Sequence, residues 1–519
     1  MENNIVRYPI GVQSFEKLRK QSYIYIDKTD FIYNLVKSSN CVFLSRPRRF
    51  GKSLLLSTIQ AYFEGKKELF KGLAIEQLET EWQPHVVLTL SLAKYNSNIE
   101  GSLEEILNNQ FLSWEHQYDV KIKSTNLASR FENIIRAAYL ASGRPVVILV
   151  DEYDHPLIET MHDPERSEAH RLLLKSIYVN IKDLDQYIRF TMLTGVSRFS
   201  KMTIFSGLNN LQDISLNRDY AAICGITDRE ITDNFRQGIE RLAQEYDTDF
   251  NGAVALLKAN YDGYHFAKTS PDIYNPFSLL WALKDSEIGA YWFQSGTPEF
   301  LIRQIQKSGN FLPDMFDETV EVRTLSASDI SRTKLTALLY QTGYLTIKGY
   351  EDPDLFHLGI PNLEVRKGLF QNLSDYYVDE DGDRVARNVR EVRKLLETKR
   401  VDEAMERLRT FMAGIPYEFA DKATELHYEN NLFIIFMLIG VDARPEWHTS
   451  DGRIDLLLSM RNYIYIIELK RDGTPQEALD QIRKKGYARQ FSGDPRPVVS
   501  LGITFSTRTR NITAWETEE

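Results

Sequence analysis

The chain has 519 residues, more than one ordinary hydrophobic core organises, so two or three domains are expected. With 43% hydrophobic and 26% charged residues it has the make-up of a folded protein, and its net charge of −10 excludes a globally basic nucleic-acid binder; any such contact needs a local basic surface. The two cysteines, Cys41 and Cys224, stand far apart with no His/Cys cluster beside either, which argues against a disulfide framework or structural zinc site and suits a reducing cytoplasm.

Met1-Glu-Asn-Asn offers neither the basic start nor the apolar stretch of a secretory signal. In chain order, Cys41-Val-Phe-Leu reads as a short buried strand, followed by a turn and a helical run from Ser53 to Phe63. Pro145-Val-Val-Ile-Leu-Val150 and Tyr187-Ile-Arg-Phe-Thr-Met-Leu193 are further strand candidates. Apolar runs without alternation belong to strands covered on both faces, so a parallel α/β sheet with helical crossovers is expected. From Asp228 to Ala282 the pattern turns helical, interrupted by Tyr261-Asp-Gly-Tyr-His265. Leu335–Gln341 reads as a helix, and Gly343–Ile347 with Leu355–Leu358 as a hairpin, the combination of a winged-helix module. Asp379–Arg384 reads as a surface loop and helical hairpins run on to about Gly414. The longest apolar run, Leu432–Val441, falls short of the roughly 18–20 residues a membrane span needs and reads as a buried helix. The expected domains are residues 1–225, 226–375 and 376–519.

Phe43-Leu-Ser-Arg-Pro-Arg-Arg-Phe-Gly-Lys-Ser53 places Gly51-Lys52-Ser53 between a strand and a helix, where a phosphate-binding loop ends. Such a loop holds phosphates on backbone N–H groups and a helix N-terminus; Lys52 spans the outer phosphates and the Ser53 hydroxyl ligates Mg²⁺. Arg48, Arg49, Phe50 and Leu54 complete the expected ATP-binding stretch. Arg46 stands where the usual pattern has its first glycine, and the arginines of the loop are expected to add positive charge beside the phosphates. Val146-Val-Ile-Leu-Val-Asp151-Glu152 is a buried strand ending in two carboxylates. Asp151 suits Mg²⁺, and Glu152 suits polarising the attacking water. After the third strand, Thr194 and Ser197 are candidates to sense the γ-phosphate. Arg198 is a candidate to reach a phosphate in the same or a neighbouring subunit, which leaves a homo-oligomer open.

Near the end, Thr449–Leu458 and Tyr463–Lys470 read as two strands of one hairpin joined through Met460-Arg-Asn462. Glu468 and Lys470 share a strand face and Asp455 on the neighbouring strand can meet them. Two carboxylates that hold Mg²⁺ or Mn²⁺, with a lysine to orient water or stabilise developing charge, are what phosphodiester hydrolysis requires. Glu429 is a candidate further metal ligand, and Gln481 and Tyr487, six apart on a predicted helix, are candidates to line the cleft.

With both constellations in view, the chain resembles a bacterial family that joins an AAA-ATPase-like domain to a PD-(D/E)XK nuclease superfamily domain. The resemblance rests on Tyr8-Pro-Ile-Gly-Val-Gln-Ser-Phe15, Tyr25-Ile-Asp27-Lys28-Thr29, Leu44–Ser53 and Val150-Asp-Glu-Tyr-Asp154. It continues through Tyr261-Asp-Gly-Tyr264, Tyr274-Asn-Pro-Phe277, Trp292–Pro298, Gly452-Arg-Ile-Asp455 and Glu468-Leu-Lys470, then Gln481 with Tyr487. It implies an α/β architecture: an AAA-like P-loop sheet, a helical and winged-helix-like middle, and a C-terminal restriction-endonuclease-like domain. It also implies ATP and Mg²⁺ binding, and places Asp455, Glu468 and Lys470 on the nuclease motif. The arginine-rich loop looks like the family's own form. A cytoplasmic ATPase that controls a metal-dependent nuclease acting on nucleic acid, DNA before RNA, is the leading expectation, with a role in defence or mobile-element biology. A nucleotide-dependent switch whose nuclease-like domain only binds a partner is the competing one.

Overall fold

The structure, a computed structural model, describes residues 6–198, 204–205, 208, 210–294, 301–302, 304–305, 312, 316–325, 335–352, 354–377, 382–413, 425–439, 442–449 and 452–519. It divides into two compact units, Met1–Trp292 with Thr319–Pro361, and Phe293–Glu318 with Asn362–Glu519. No helix among the described residues is long and apolar enough to cross a membrane.

The first unit is built on a sheet of five parallel strands: β1 (Cys41–Ser45), β2 (Val87–Ser91), β3 (Val146–Asp151), β4 (Ile188–Gly195) and β5 (Gln212–Asp213). Every residue of β1 and β3 is buried, which is why these strands are written as unbroken apolar runs. Helices α1 (Phe15–Lys20) and α2 (Thr29–Ser38) precede the sheet, and the crossovers between its strands carry α3 (Lys52–Phe63), α4 (Ser102–Gln117), α5 (Leu127–Ser142) and α6 (Pro164–Asp183). Helix α5 starts on an Asn126 side-chain cap and stops at Gly143 (φ 66°), the left-handed position a glycine takes without strain. The strand order β2-β3-β4-β1-β5 inserts β4 between β1 and β3. Leu44 pairs with Thr194, and Val150 with Leu193, so the loops leaving β1, β3 and β4 emerge together at the carboxyl end of the sheet. In open α/β sheets that end is where ligands bind.

Beyond the sheet lie α7 (Asp228–Asn234), α8 (Arg236–Glu245), α9 (Phe250–Tyr261) and α10 (Pro276–Asp285), packed round Ile239, Leu242, Leu257 and Leu283. Thr227 and Glu230 form a reciprocal capping box at the start of α7. The expected interruption after Tyr261 holds two isolated bridges, Tyr264 with Ile273 and Ile226 with Tyr274. A small sheet follows, with β6 (Asp317–Glu321), helix α11 (Leu335–Thr342) and the antiparallel hairpin of β7 (Thr346–Asp352) and β8 (Leu355–Gly359).

From Asn362 on, the second unit carries α12 (Leu363–Tyr377), α13 (Gly382–Glu397), α14 (Val401–Ala413) and α15 (Glu425–Ile439). Its sheet comprises β9 (Asp442–Thr449), β10 (Gly452–Ser459), β11 (Ile464–Arg471), β12 (Val498–Ser506) and β13 (Asn511–Glu518). Their spatial order is β13-β12-β11-β10-β9. Only β11 and β12 run parallel, joined by the crossover helix α16 (Pro475–Lys485).

Three expectations need correction here. Gly382-Asp-Arg384 is the first turn of α13 rather than loop, because Val385, Val392 and Leu396 recur on one buried face and carry the helix back to it. Thr449–Leu458 is not one strand: β9 ends at Thr449, β10 begins at Gly452, and the two pair antiparallel. Tyr487 is not on the helix with Gln481, since Gly486 (φ 63°) ends α16 before it.

Candidate functional site

At the carboxyl end of the first sheet, Gly51 (φ 92°) caps α3, and Arg49, two residues before it, is also left-handed (φ 69°), a conformation a side chain adopts only under constraint. The Ser53 hydroxyl donates to Asp151 Oδ2 at 2.6 Å. The Thr194 hydroxyl donates to Asp151 Oδ1 at 2.7 Å and the Glu152 N–H to the same oxygen at 3.1 Å. Sequence-predicted residues from the head of α3, the end of β4 and the residue after β3 thus converge on one carboxylate. Glu152 is half-buried beside them with φ 54°. Lys52 is buried and its Nζ donates to the Arg46 and Pro47 carbonyls, 2.9 and 3.0 Å away. Burial pulls this ammonium below the ordinary lysine value, while Asp151, Glu152 and Asp154 pull it back.

The Arg46 guanidinium is turned into the protein interior, which corrects the expectation that it adds positive charge at the loop's mouth. The residue is 1% exposed; Nη1 donates to Ser45 and Ser215 carbonyls at 2.9 Å, and Nη2 to Tyr220 and Ala221 carbonyls. The arginine fastens the base of the loop to the segment after β5. Arg48 is half-buried and Arg49 exposed, the latter with its guanidinium 5.2 Å from the Phe277 ring centroid. Phe50 is buried. Leu54 and Gly51 line an apolar cavity with Tyr25, Ile26, Cys224 and Phe235.

The remaining candidates have other partners. Ser197 donates to Asp154 Oδ2 at 2.6 Å, and the same carboxylate accepts the Val196 and Ser197 N–H groups. Asp154, which sequence reasoning quoted without a role, therefore anchors the loop leaving β4; its position in Asp151-Glu-Tyr-Asp154 was the available signal. Arg198 is buried and ion-paired to Asp213 at 2.5 Å. Its backbone N–H donates to the Gln341 side chain at 2.9 Å.

In the second unit, Leu456 pairs with Ile467 across β10 and β11, which sets Asp455 opposite Glu468. The Leu469 N–H donates to Asp455 Oδ2 at 2.8 Å. Glu468 is wholly buried, and Gln481 Nε2 donates to its Oε2 at 2.6 Å. Lys470 Nζ donates to Gln481 Oε1 at 2.6 Å and lies 3.9 Å from Glu468. Gln481 thus bridges the acid and the lysine. Tyr487 packs into the core with Ile454, Leu457 and Ile466. The Glu429 side chain, like Asp451 and residues 295–298, lies outside what is described.

A buried carboxyl with a second acid beside it and the Lys470 ammonium 3.9 Å away is an environment that a divalent cation would complete. Burial, then the Asp455 carboxylate, pushes Glu468 from 4.5 up to about 8. The folded chain therefore holds this proton more tightly than the unfolded one. The site's contribution to stability is full below 4.5 and is lost as pH rises through about 8. With EDTA present, the wild-type unfolding midpoint should fall over that range, and Glu468→Gln should flatten the fall. An unchanged pH slope in the variant contradicts this reading.

Five parallel strands with a lysine-bearing phosphate loop after β1 and a carboxylate after β3 define a P-loop nucleotide-binding class of unit. The Asp455, Glu468, Lys470 hairpin defines a nuclease-type one. Residues 9–205 match the family model described as predicted AAA-ATPase, and residues 423–515 that of the PD-(D/E)XK nuclease superfamily. A relative described as "Uncharacterized protein in vnfD 5'region", from Azotobacter chroococcum mcd 1, is 34% identical over 526 residues, with 99% of each chain covered. The chain belongs to this family, which joins an AAA-ATPase-like domain to a PD-(D/E)XK nuclease superfamily domain.

Proposed function

We propose that the chain binds and hydrolyses ATP in its first unit and uses that cycle to control metal-dependent cleavage of nucleic acid, DNA before RNA, by its second. The convergence of Ser53 and Thr194 on Asp151 beside buried Lys52 carries the reading. In it, Gly51 and Lys52 hold phosphates, Ser53 and Asp151 hold Mg²⁺, and Glu152 orients the attacking water. The apolar cavity at Gly51 and Leu54 suits a purine base. In the second unit Asp455 and Glu468 hold the cation while Lys470, steadied by Gln481, faces the developing charge. Bound Mg²⁺ or Mn²⁺ supplies Lewis acidity toward the phosphodiester and a more acidic water. A cytoplasmic role in defence or mobile-element biology fits this chemistry.

Purified protein incubated with DNA and Mg²⁺ or Mn²⁺, with and without ATP, tests it. Cutting that ATP stimulates is expected; no cutting under any of these conditions overturns it. The second reading, a nucleotide-driven switch with a non-cutting second unit, is favoured by one observation: Lys470 and Glu468 are both engaged by Gln481.

A further inference from the structure

Three motifs carried by the family resemblance, Tyr261–Tyr264, Tyr274–Phe277 and the one starting at Trp292, have no part in the chemistry above, yet they or their neighbours touch the phosphate loop. The Phe50 ring meets Tyr264 and Phe266 edge-to-face, with centroids 4.8 and 5.5 Å apart. The Arg46 guanidinium lies 4.1 Å from the Phe266 centroid, and Arg49 lies over Phe277. Gly343 (φ 93°) approaches so closely that a Cβ there would sit 2.7 Å from Pro47 Cβ. Trp292 Nε1 donates to the Arg48 carbonyl at 3.1 Å, and its ring packs on Tyr344 at 5.2 Å.

A phosphate loop normally reaches its shape through the backbone freedom of its first glycine. Here Arg46 has that place, and Arg49 nonetheless takes a left-handed φ of 69°. Strain of that kind persists only where the surroundings impose it. Resting on the nucleotide-binding reading, we infer that Trp292, Phe266, Tyr264 and Gly343 form a collar of positioning residues that sets the loop's backbone in place of the missing glycine. Trp292 is its sharpest member. A trans peptide points its N–H opposite its C=O, so tying the Arg48 carbonyl to the indole turns the Arg49 N–H away from Trp292, ready for an anion. The ligand such a collar serves is the polyphosphate, whatever base follows it.

Trp292→Phe keeps the ring on Tyr344 and removes only the bond to Arg48. In titration calorimetry on the full chain with Mg²⁺, the variant is expected to bind ATPγS about 5- to 10-fold more weakly, the worth of one hydrogen bond. It should weaken inorganic tripolyphosphate by the same factor, with the nucleotide-free unfolding midpoint nearly unchanged. Gly343→Ala should act in the same direction through Pro47. Wild-type affinity in Trp292→Phe, or a loss for ATPγS that tripolyphosphate does not share, overturns the inference alone. A wild-type chain that binds neither probe overturns the nucleotide-binding reading and the collar with it.

Discussion

Lys52→Ala is expected to lower ATP hydrolysis by the purified chain on the order of 100-fold or more, the loss seen when one preorganised donor to a developing anion is removed. The lysine is buried at the head of α3 and already held by two carbonyls of the loop, so its ammonium is fixed inside the loop's curve. Alanine removes the charge and leaves those carbonyls without their donor, so nucleotide affinity should fall along with the rate. The hairpin of β10 and β11 is untouched by the change. Basal, ATP-independent cutting should therefore remain while stimulation by ATP disappears. A Lys52→Ala protein that hydrolyses ATP at the wild-type rate contradicts the assignment of the phosphate site.

Asp455→Ala is expected to remove nucleic-acid cleavage in Mg²⁺ or Mn²⁺. Losing only an outer hydrogen-bond partner of a metal ligand costs about 10- to 100-fold, and loss of the ligand itself costs more. The substitution also strips the Leu469 N–H of its acceptor and leaves Glu468 without the acid opposite it. Relief from its neighbour's charge should bring the Glu468 carboxyl back toward its ordinary range. ATP hydrolysis in the first unit should be unaffected. Cutting that survives Asp455→Ala places the chemistry elsewhere.

Much of the fold was legible because buried parallel strands leave a one-dimensional trace. β1 and β3 are largely apolar runs, β4 is buried from Phe190 onward, and residues at or just past their ends carry the chemistry. β2 gave no such trace: at the sheet's edge its burial alternates, and its five residues include Thr89 and Ser91. β9 was hidden for a different reason, since Asp442-Ala-Arg-Pro-Glu-Trp-His-Thr449 is mostly polar and contains Pro445, which an edge strand tolerates. The pair Asp455 and Glu468 could be read from the two-residue strand period, whereas the bridge through Gln481 depended on how α16 packs.

Arg46 was the least legible residue of the site. A guanidinium in a phosphate loop suggests a phosphate ligand, and nothing local shows that its four carbonyl partners come from Ser45 and from Ser215 to Ala221. Asp154 was similarly obscure, because its partners are N–H groups at the end of another strand.

Anomalous diffraction from crystals of the full chain grown with Mn²⁺ and a non-hydrolysable ATP analogue tests the two-site account most directly. Two manganese peaks are predicted, one against Ser53 and Asp151 beside the analogue's phosphates, the other between Asp455 and Glu468. A chain that shows neither peak, or manganese bound only away from these four side chains, contradicts it.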